Sequence, residues 1–306
     1  MIYDILIVGG GPAGLTAAIY GRRSGRSVLI LEKEGYGGQI AYSPRVENYP
    51  GVGSVSGMTL SEEMLGQALG QGADTDVGTV TGLRRDADGI WTAETGEGER
   101  FLARSVILAV GAAHRRLHLP GEEELLGRGV SYCAVCDGDF YKGQEVAVAG
   151  GGDTALQEAL LLAEICSRVT VIHRREQFRG EAALLRRLRE RENVDFCTPY
   201  TIEALHESGG QLSSLTLRRA TDGEPRELAA AALFVCYGQT PATEPFAALL
   251  PLSEGYADCG EDGVTGQAGL FVAGDCRKKA VRQLTTAVGD GANAALSAVR
   301  YLEAWA

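Results

Sequence analysis

The feature that most restricts what this chain can fold into occurs twice. An apolar run ends in a cluster of glycines, a helix-like stretch comes next, and a second apolar run closes the block. Tyr3 to Val8 (YDILIV) leads into GGGPAG, then LTAAIYGRRSG, then SVLILE. Glu145 to Ala149 (EVAVA) leads into GGGDTA, then LQEALLLAEIC, then RVTVIHRR. Each block is a β–turn–α–β unit of about 30 residues, the size of a dinucleotide-binding start. They stand about 140 residues apart, which makes this a repeat of domains and not a solenoid. With 306 residues the chain is long enough for two domains, each with its own core.

Further apolar runs with a glycine exit close each half: SVILAVG at 105–111 and ALFVCYG at 232–238. A third short strand, GLFVAGD, lies at 269–275, and the chain then runs through LTTAVGDGANAALSAVRYLEAW. That last stretch reads as a helix without a glycine-rich opening, and its apolar face needs a partner. The economical arrangement returns it to the first domain. The expected fold is therefore α/β, with two Rossmann-like, three-layer dinucleotide-binding domains, the second inserted into the first. The first domain would hold residues 1–114 and 243–306, and the insert residues 115–242. The seams GAAHRRLHLPG and YGQTPATEP carry the Gly and Pro of inter-domain connections.

The two glycine clusters differ in the strands that come after them. Gly9, Gly11 and Gly14 make G-x-G-x-x-G, with Pro12 and Ala13 inside the turn, and Glu32 ends the next strand. The turn must be tight, the backbone must approach a pyrophosphate, and the acidic side chain can accept from ribose hydroxyls. The second cluster has Gly150, Gly152 and Ala155, with Asp153 and Thr154 between them. Its second strand ends not on an acid but on His173, Arg174 and Arg175, with Arg179 close behind. Guanidinium groups there can grip a 2′-phosphate that a carboxylate would repel. Arg186, Arg187, Arg189 and Arg191 further on read as a solvated basic helix face. FAD on the first cradle and NADPH on the second fit this difference.

A net charge of -11 argues against a protein that coats nucleic acid or an anionic membrane. No run approaches the ~18 to 20 apolar residues of a membrane span, and the opening MIYDILIVGGG is not a secretory signal. The expected setting is the cytoplasm. Of the seven cysteines, Cys166, Cys197, Cys236, Cys259 and Cys276 are scattered singly, which is no secreted disulfide framework. Cys236, in ALFVC, reads as a buried inert thiol.

The other two are Cys133 and Cys136 in SYCAVCDGDFYKG, with Asp137 directly behind. A structural zinc site usually takes four Cys or His ligands. Here there is one pair, and the only closely spaced histidines, His114 and His118, lie among arginines, so no metal is expected. A two-electron dithiol suits a flavin and NADPH better.

The whole chain resembles the low-molecular-weight, bacterial-type thioredoxin reductases, through GGGPAGLTAA, GGQIAYSPRVENYPG, YCAVCDGDFY, GGGDTALQEA, HRREQFR and AGDCRKKAVRQLTTAVGDG in that family's order. The resemblance implies an NADPH-dependent flavoprotein disulfide reductase, a homodimer that acts on thioredoxin or a thioredoxin-like protein. It places Cys136 toward the flavin, Cys133 in the mixed disulfide with the partner, and Asp137 as general acid/base. It assigns Asp275, after Gly274, to the ribityl chain, and Gln39 and Asn48 to the neighbourhood of the flavin and adenosine. Arg282, Gln283 and Leu284 would open a helix whose N-terminus stabilises negative charge on the reduced ring. It further implies a rotation of the insert about its two connections, because disulfide and nicotinamide would ride on one domain.

One departure is Asp139, where relatives often carry an apolar residue. Its charge would raise the thiol pKa if close, and it leaves partner identity less determined than chemistry. The rival readings are a same-fold reductase fed by ferredoxin, which would lack HRR-x3-R, and a ferredoxin–NADP reductase, which would not need the cysteine pair. A non-enzymatic redox-sensing dinucleotide binder would need no flavin. An alkyl hydroperoxide reductase flavoprotein would carry an additional N-terminal thioredoxin-like domain.

Overall fold

The structure, a computed structural model, describes residues 1–305. β1 (Ile2–Val8) is buried from Ile5 to Val8, as its unbroken apolar run requires of a strand covered on both faces. Its exit, Gly9, has φ +107°, and a Cβ there would press on the Ala109 carbonyl. α1 (Pro12–Arg23) starts with proline in its first turn, where the missing N–H costs nothing. β2 (Val28–Glu32), α2 (Gly57–Gly70), β3 (Asp74–Val77), β4 (Val80–Arg85), β5 (Trp91–Thr95) and β6 (Arg100–Leu108) come next. The sheet order is β3-β2-β1-β6-β5-β4, parallel from β3 to β6 and antiparallel beyond. β7 (Ala112–His114) leads out of this unit.

The next unit opens on β8 (Val130–Ser131) and the single turn α3 (Ala134–Asp137). β9 (Glu145–Ala149), α4 (Asp153–Ile165) and β10 (Arg168–Ile172) repeat the β–turn–α–β pattern. α5 (Ala182–Arg189), β11 (Val194–Cys197), the antiparallel meander β12 (Tyr200–Ser208), β13 (Gln211–Arg219) and β14 (Pro225–Ala229), then β15 (Ala232–Val235) complete it. The parallel sheet runs β11-β10-β9-β15-β8. One face packs on α4, with Leu156, Ala159 and Leu162 against Val146, Val148 and Phe234. The other face packs on the meander.

β16 (Gln239–Pro241) leads back, and the hairpin β17 (Leu252–Ser253) and β18 (Tyr256–Ala257), β19 (Leu270–Val272) and α6 (Leu284–Glu303) complete the chain's elements. β19 pairs in parallel with the last three residues of β6. α6 lies on α1 so closely that a Cβ on Gly291 would overlap the Ala13 carbonyl. Ala294, Ala295, Ala298 and Leu302 of α6 thereby share a core with Ile5, Ile7 and Ala17. The chain divides into two compact units, Met1–Ala113 with the stretch from Thr240 onward, and His114–Gln239.

Candidate active site

In the first unit the glycine turn joins β1 to α1. A Cβ on Gly14 would overlap the Gly9 carbonyl, so this residue lets helix and strand close together. Gly11, the N-cap of α1, has only Gly38 Cα near its side-chain position, at 3.9 Å, which leaves the backbone approachable. Pro12 is half-buried and Ala13 buried, so they shape the turn. Glu32 is buried, and its Oε2 accepts from Gly10 N–H at 2.6 Å while Oε1 accepts from Lys33 and Glu34 N–H at 2.9 and 3.1 Å. A carboxylate has about four acceptor sites. Three are spent on the loop, and one is left for a ribose hydroxyl.

Gly274 and Asp275 come after β19 in a 3-10 turn. Asp275 Oδ1 is buried; Lys279 Nζ stands 3.0 Å away but outside hydrogen-bonding alignment, so no donor serves it among the described residues. The Lys279 ammonium offsets the charge of this oxygen without an aligned hydrogen bond, and a ribityl hydroxyl would supply one. The glycine cradle, the spare acceptor on Glu32 and the orphaned Asp275 oxygen together fit FAD. Gln283 caps α6 and receives Asn48 Nδ2 on its Oε1 at 3.5 Å, so two separately expected residues meet. Leu284 is the first helical residue. Arg282 lies outside the helix, its guanidinium 4.0 Å from the Tyr256 ring centroid and its Nε donating to Asp275 O at 3.2 Å. Gln39 Nε2 donates to the Ala112 carbonyl.

In the second unit Gly150 has φ +155°, with Ala155 Cβ 2.8 Å from where its own Cβ would be. Ala155 is fully buried, so it seats α4 against β9 instead of facing a ligand. Gly152, the N-cap of α4, has open space in the direction of a Cβ, and Thr154 is exposed beside it. Asp153 Oδ1 accepts from Glu181 N–H at 2.7 Å, and Arg179 N–H donates to Gly151 O at 2.8 Å, so residues 179–181 fold over the cradle. Arg174, Arg175 and Arg179 are exposed and enter no ion pair among the described residues.

His173 departs from the expectation of a fourth phosphate-facing group. It is 7% exposed, packs on Phe178 at 5.0 Å between ring centroids, and lies where a Cβ on Gly151 would fall. Burial, with the arginine charges around it, holds its pKa below the usual imidazole value. As the first residue beyond β10 it is turned inward under the loop, so it supports the cradle as a neutral ring.

Cys133 and Cys136 form a disulfide across α3, with Cα atoms 5.3 Å apart. Cys133 caps the turn, its Sγ accepting from Cys136 N–H at 3.2 Å. Cys136 and Val135 are exposed, so the pair presents a small apolar edge to solvent. Asp137 is half-buried and accepts from Ser131 Oγ at 2.6 Å; the same hydroxyl accepts from Cys133 N–H at 3.1 Å. Burial raises the Asp137 pKa against the opposing pull of the Ser131 hydrogen bond. Asp139 is exposed in the next 3-10 turn.

The remaining cysteines are free. Burial pushes the Cys166 and Cys259 thiols up to about 11 and Cys276 up to about 12. Cys236 is half-buried, not buried as its apolar run implied, and its Sγ donates to Glu158 Oε2 at 2.9 Å. Sequence reasoning also missed Ser131 and the cluster around Asp290. Asp290 is 7% exposed and pairs with Arg277 at 2.8 Å and Lys279 at 3.0 Å while accepting from Gly274 N–H at 3.1 Å. The available signal was an acid at helical spacing among alanines and glycines in VGDGANAA.

A family model described as pyridine nucleotide-disulphide oxidoreductase matches residues 3–291. The chain is 42% identical over 303 residues to the thioredoxin reductase of Bacillus subtilis (strain 168), covering 99% of this chain and 95% of that protein. It is 41% identical over 306 residues to the thioredoxin reductase of Treponema pallidum (strain Nichols), covering 98% and 97%. Among solved structures, thioredoxin reductase from Streptococcus pyogenes MGAS5005 matches with a TM-score of 0.94 at 38% identity, over 99% of both chains.

Proposed function

Because this chain belongs to the pyridine nucleotide-disulphide oxidoreductase family, we propose that it uses NADPH to reduce the disulfide of thioredoxin or a thioredoxin-like protein. One observation carries the reading: the redox disulfide and an arginine-rimmed nucleotide cradle share one helix, the cradle at the start of α4 and α3 packed along it. FAD, held by the first unit, would supply the two-electron chemistry that links NADPH to the Cys133–Cys136 disulfide.

The residues divide the remaining work. Gly9, Gly11, Gly14, Glu32 and Asp275 hold FAD, and Gly150, Gly152, Arg174, Arg175 and Arg179 hold NADPH. Reduction breaks the S–S bond and takes two electrons and two protons, leaving two thiols. Asp137, with its raised proton affinity, gives a proton to a departing thiolate and takes one back when the pair reoxidises. Cys133 as thiolate attacks the partner's disulfide, and Cys136 then displaces the reduced partner by attacking Cys133 Sγ. The disulfide and the NADPH cradle are carried by the same unit. Tyr42, Met58 and Leu69, exposed on the first unit, support a homodimer. No helix among the described residues is long and apolar enough to cross a membrane, and the unpaired thiols suit a reducing cytoplasm.

The test is an anaerobic titration of the purified protein. It should carry about one FAD per chain and lose its yellow colour with NADPH, then regain it when oxidised thioredoxin is added. A protein that folds but takes up no FAD refutes the reading; so does reduction by NADPH that thioredoxin does not reverse.

A further inference from the structure

Lys279 is a buried cation that the reaction as described above does not use. Its side chain is 7% exposed, and its Nζ stands 3.0 Å from Asp275 Oδ1. The same nitrogen donates to Asp290 Oδ2 at 3.0 Å and to Thr286 Oγ1 at 3.3 Å. Thr286 belongs to the first turn of α6 and Asp290 to the second. A lysine is seldom this deep in a fold unless it is paired, and here one ammonium serves two carboxylates and a hydroxyl. Its partners are themselves fixed. Asp290 also pairs with Arg277 and accepts from Gly274 N–H at 3.1 Å. Gly274 has φ +82°, and a Cβ there would fall 2.9 Å from Ala13 Cβ. The turn that carries Asp275 therefore lies against the start of α1, beside the first glycine cradle. Asp275, Arg277, Lys279 and Asp290 balance in charge, and Asp275 is the most exposed of the four, at 27% of its side chain. It is the one open to a ligand.

Resting on the reading of Asp275 as a ligand to FAD, we propose that Lys279 is a positioning residue for flavin binding: it ties the Asp275 carboxylate to α6 through Asp290 and holds it at the ribityl site. Two features of the geometry carry this. Without the ammonium, Asp275 and Asp290 would face each other as like charges in a largely buried site, and the repulsion would turn Asp275 out of place. An ammonium also carries three donors. Asp290 and Thr286 take two of them, and the contact with Asp275 is out of alignment. Lys279 thus offsets the charge of Asp275 without taking up the acceptor that a ribityl hydroxyl needs. Lys278, its neighbour in the chain, is exposed and pairs with Asp258, so it does not share the task.

The experiment is a double-mutant cycle on FAD affinity, read from flavin fluorescence as the holoenzyme is diluted, and it needs no turnover. It compares wild type, Lys279→Met, Asp275→Ala and the double variant, with NADP+ affinity measured beside FAD. Lys279→Met keeps an apolar stem and removes the charge. It should weaken FAD on the order of tenfold, the weight of about one hydrogen bond to a charged group. Asp275→Ala should weaken FAD at least as much. In the Asp275→Ala background, Lys279→Met should cost less than about twofold more, because the residue it acts through is gone. NADP+, bound by the other unit, should keep its affinity throughout. A double variant whose loss is the product of the two single losses overturns the proposal. So does a Lys279→Met protein that holds FAD as wild type does. Weakening of NADP+ in step with FAD makes Lys279 a general support of the fold and overturns it too. If Lys279→Met fails to fold, Lys279→Gln, which keeps a donor, carries the cycle in its place. A wild-type protein that takes up no FAD refutes the flavin reading instead.

Discussion

Replacing Arg174 and Arg175 by alanine should separate NADPH from NADH. Both guanidiniums are exposed at the end of β10 and enter no ion pair among the described residues, so their removal breaks nothing in the free protein. His173 adds no charge, because it is buried and neutral. The cost therefore falls on the bound 2′-phosphate. A hydrogen bond to a charged group is worth about 1.5 to 3 kcal/mol, and solvent screening at an exposed site selects the low end. Two such bonds come to about 3 kcal/mol, or roughly a hundredfold in Kd at about 1.4 kcal/mol per decade. Calorimetric titration with NADP+ and NAD+, neither of which reduces the protein, reads this directly. NADP+ should weaken by about that factor and lose most of its salt dependence, while NAD+ changes little. Equal weakening of both nucleotides would refute the assignment of these arginines to the phosphate.

Cys133→Ser and Cys136→Ser should each remain folded, keep FAD, accept electrons from NADPH and lose thioredoxin turnover; thermal melting measured beside turnover separates this from a structural role. Asp137→Asn should slow turnover by about 10²- to 10⁴-fold. The same variant should be at least as stable as wild type at pH 7. A carboxyl whose folded pKa is raised contributes stability below its unfolded value and loses it as pH rises through the folded one, so the difference should fade in melts taken near pH 4. Asp290→Ala should leave buried Arg277 without its carboxylate and Lys279 with Asp275 alone, and cost about 3 to 5 kcal/mol in denaturant unfolding.

The duplicated strand–glycine–helix pattern was legible because a Rossmann turn imposes local demands that show in a few adjacent residues. Gly9 is required by its positive φ, and Gly14 by its approach to the Gly9 carbonyl. The return of α6 to the first unit was legible for a different reason, an apolar face with no local partner. His173 was misread because a motif gives no direction: the strand ends one residue earlier, and alternation sends the imidazole inward. Glu158 and Asp290 stayed hidden because each acts through residues that the chain's own order does not bring beside it. Ser131 lies two and six positions from Cys133 and Asp137, and stayed hidden because a sequence gives no direction to a hydroxyl. Glu158 meets Cys236 across 78 positions, and only the packing of β15 on β9 brings them together.

The position of α6 also sets an order of events during synthesis. The groove on α1 that receives Gly291, and the edge of β6 that receives β19, are made early in the chain and filled only by its closing segment. Ribosomes add about 5 to 20 residues per second, so the intervening unit emerges and can close seconds before its host does. During that interval the core that holds Ile7, Ala17 and Ile107 has its α1 and α2 residues but lacks Ala294, Ala295, Ala298 and Leu302 of α6. The first unit's core is thus completed only when α6 has been made.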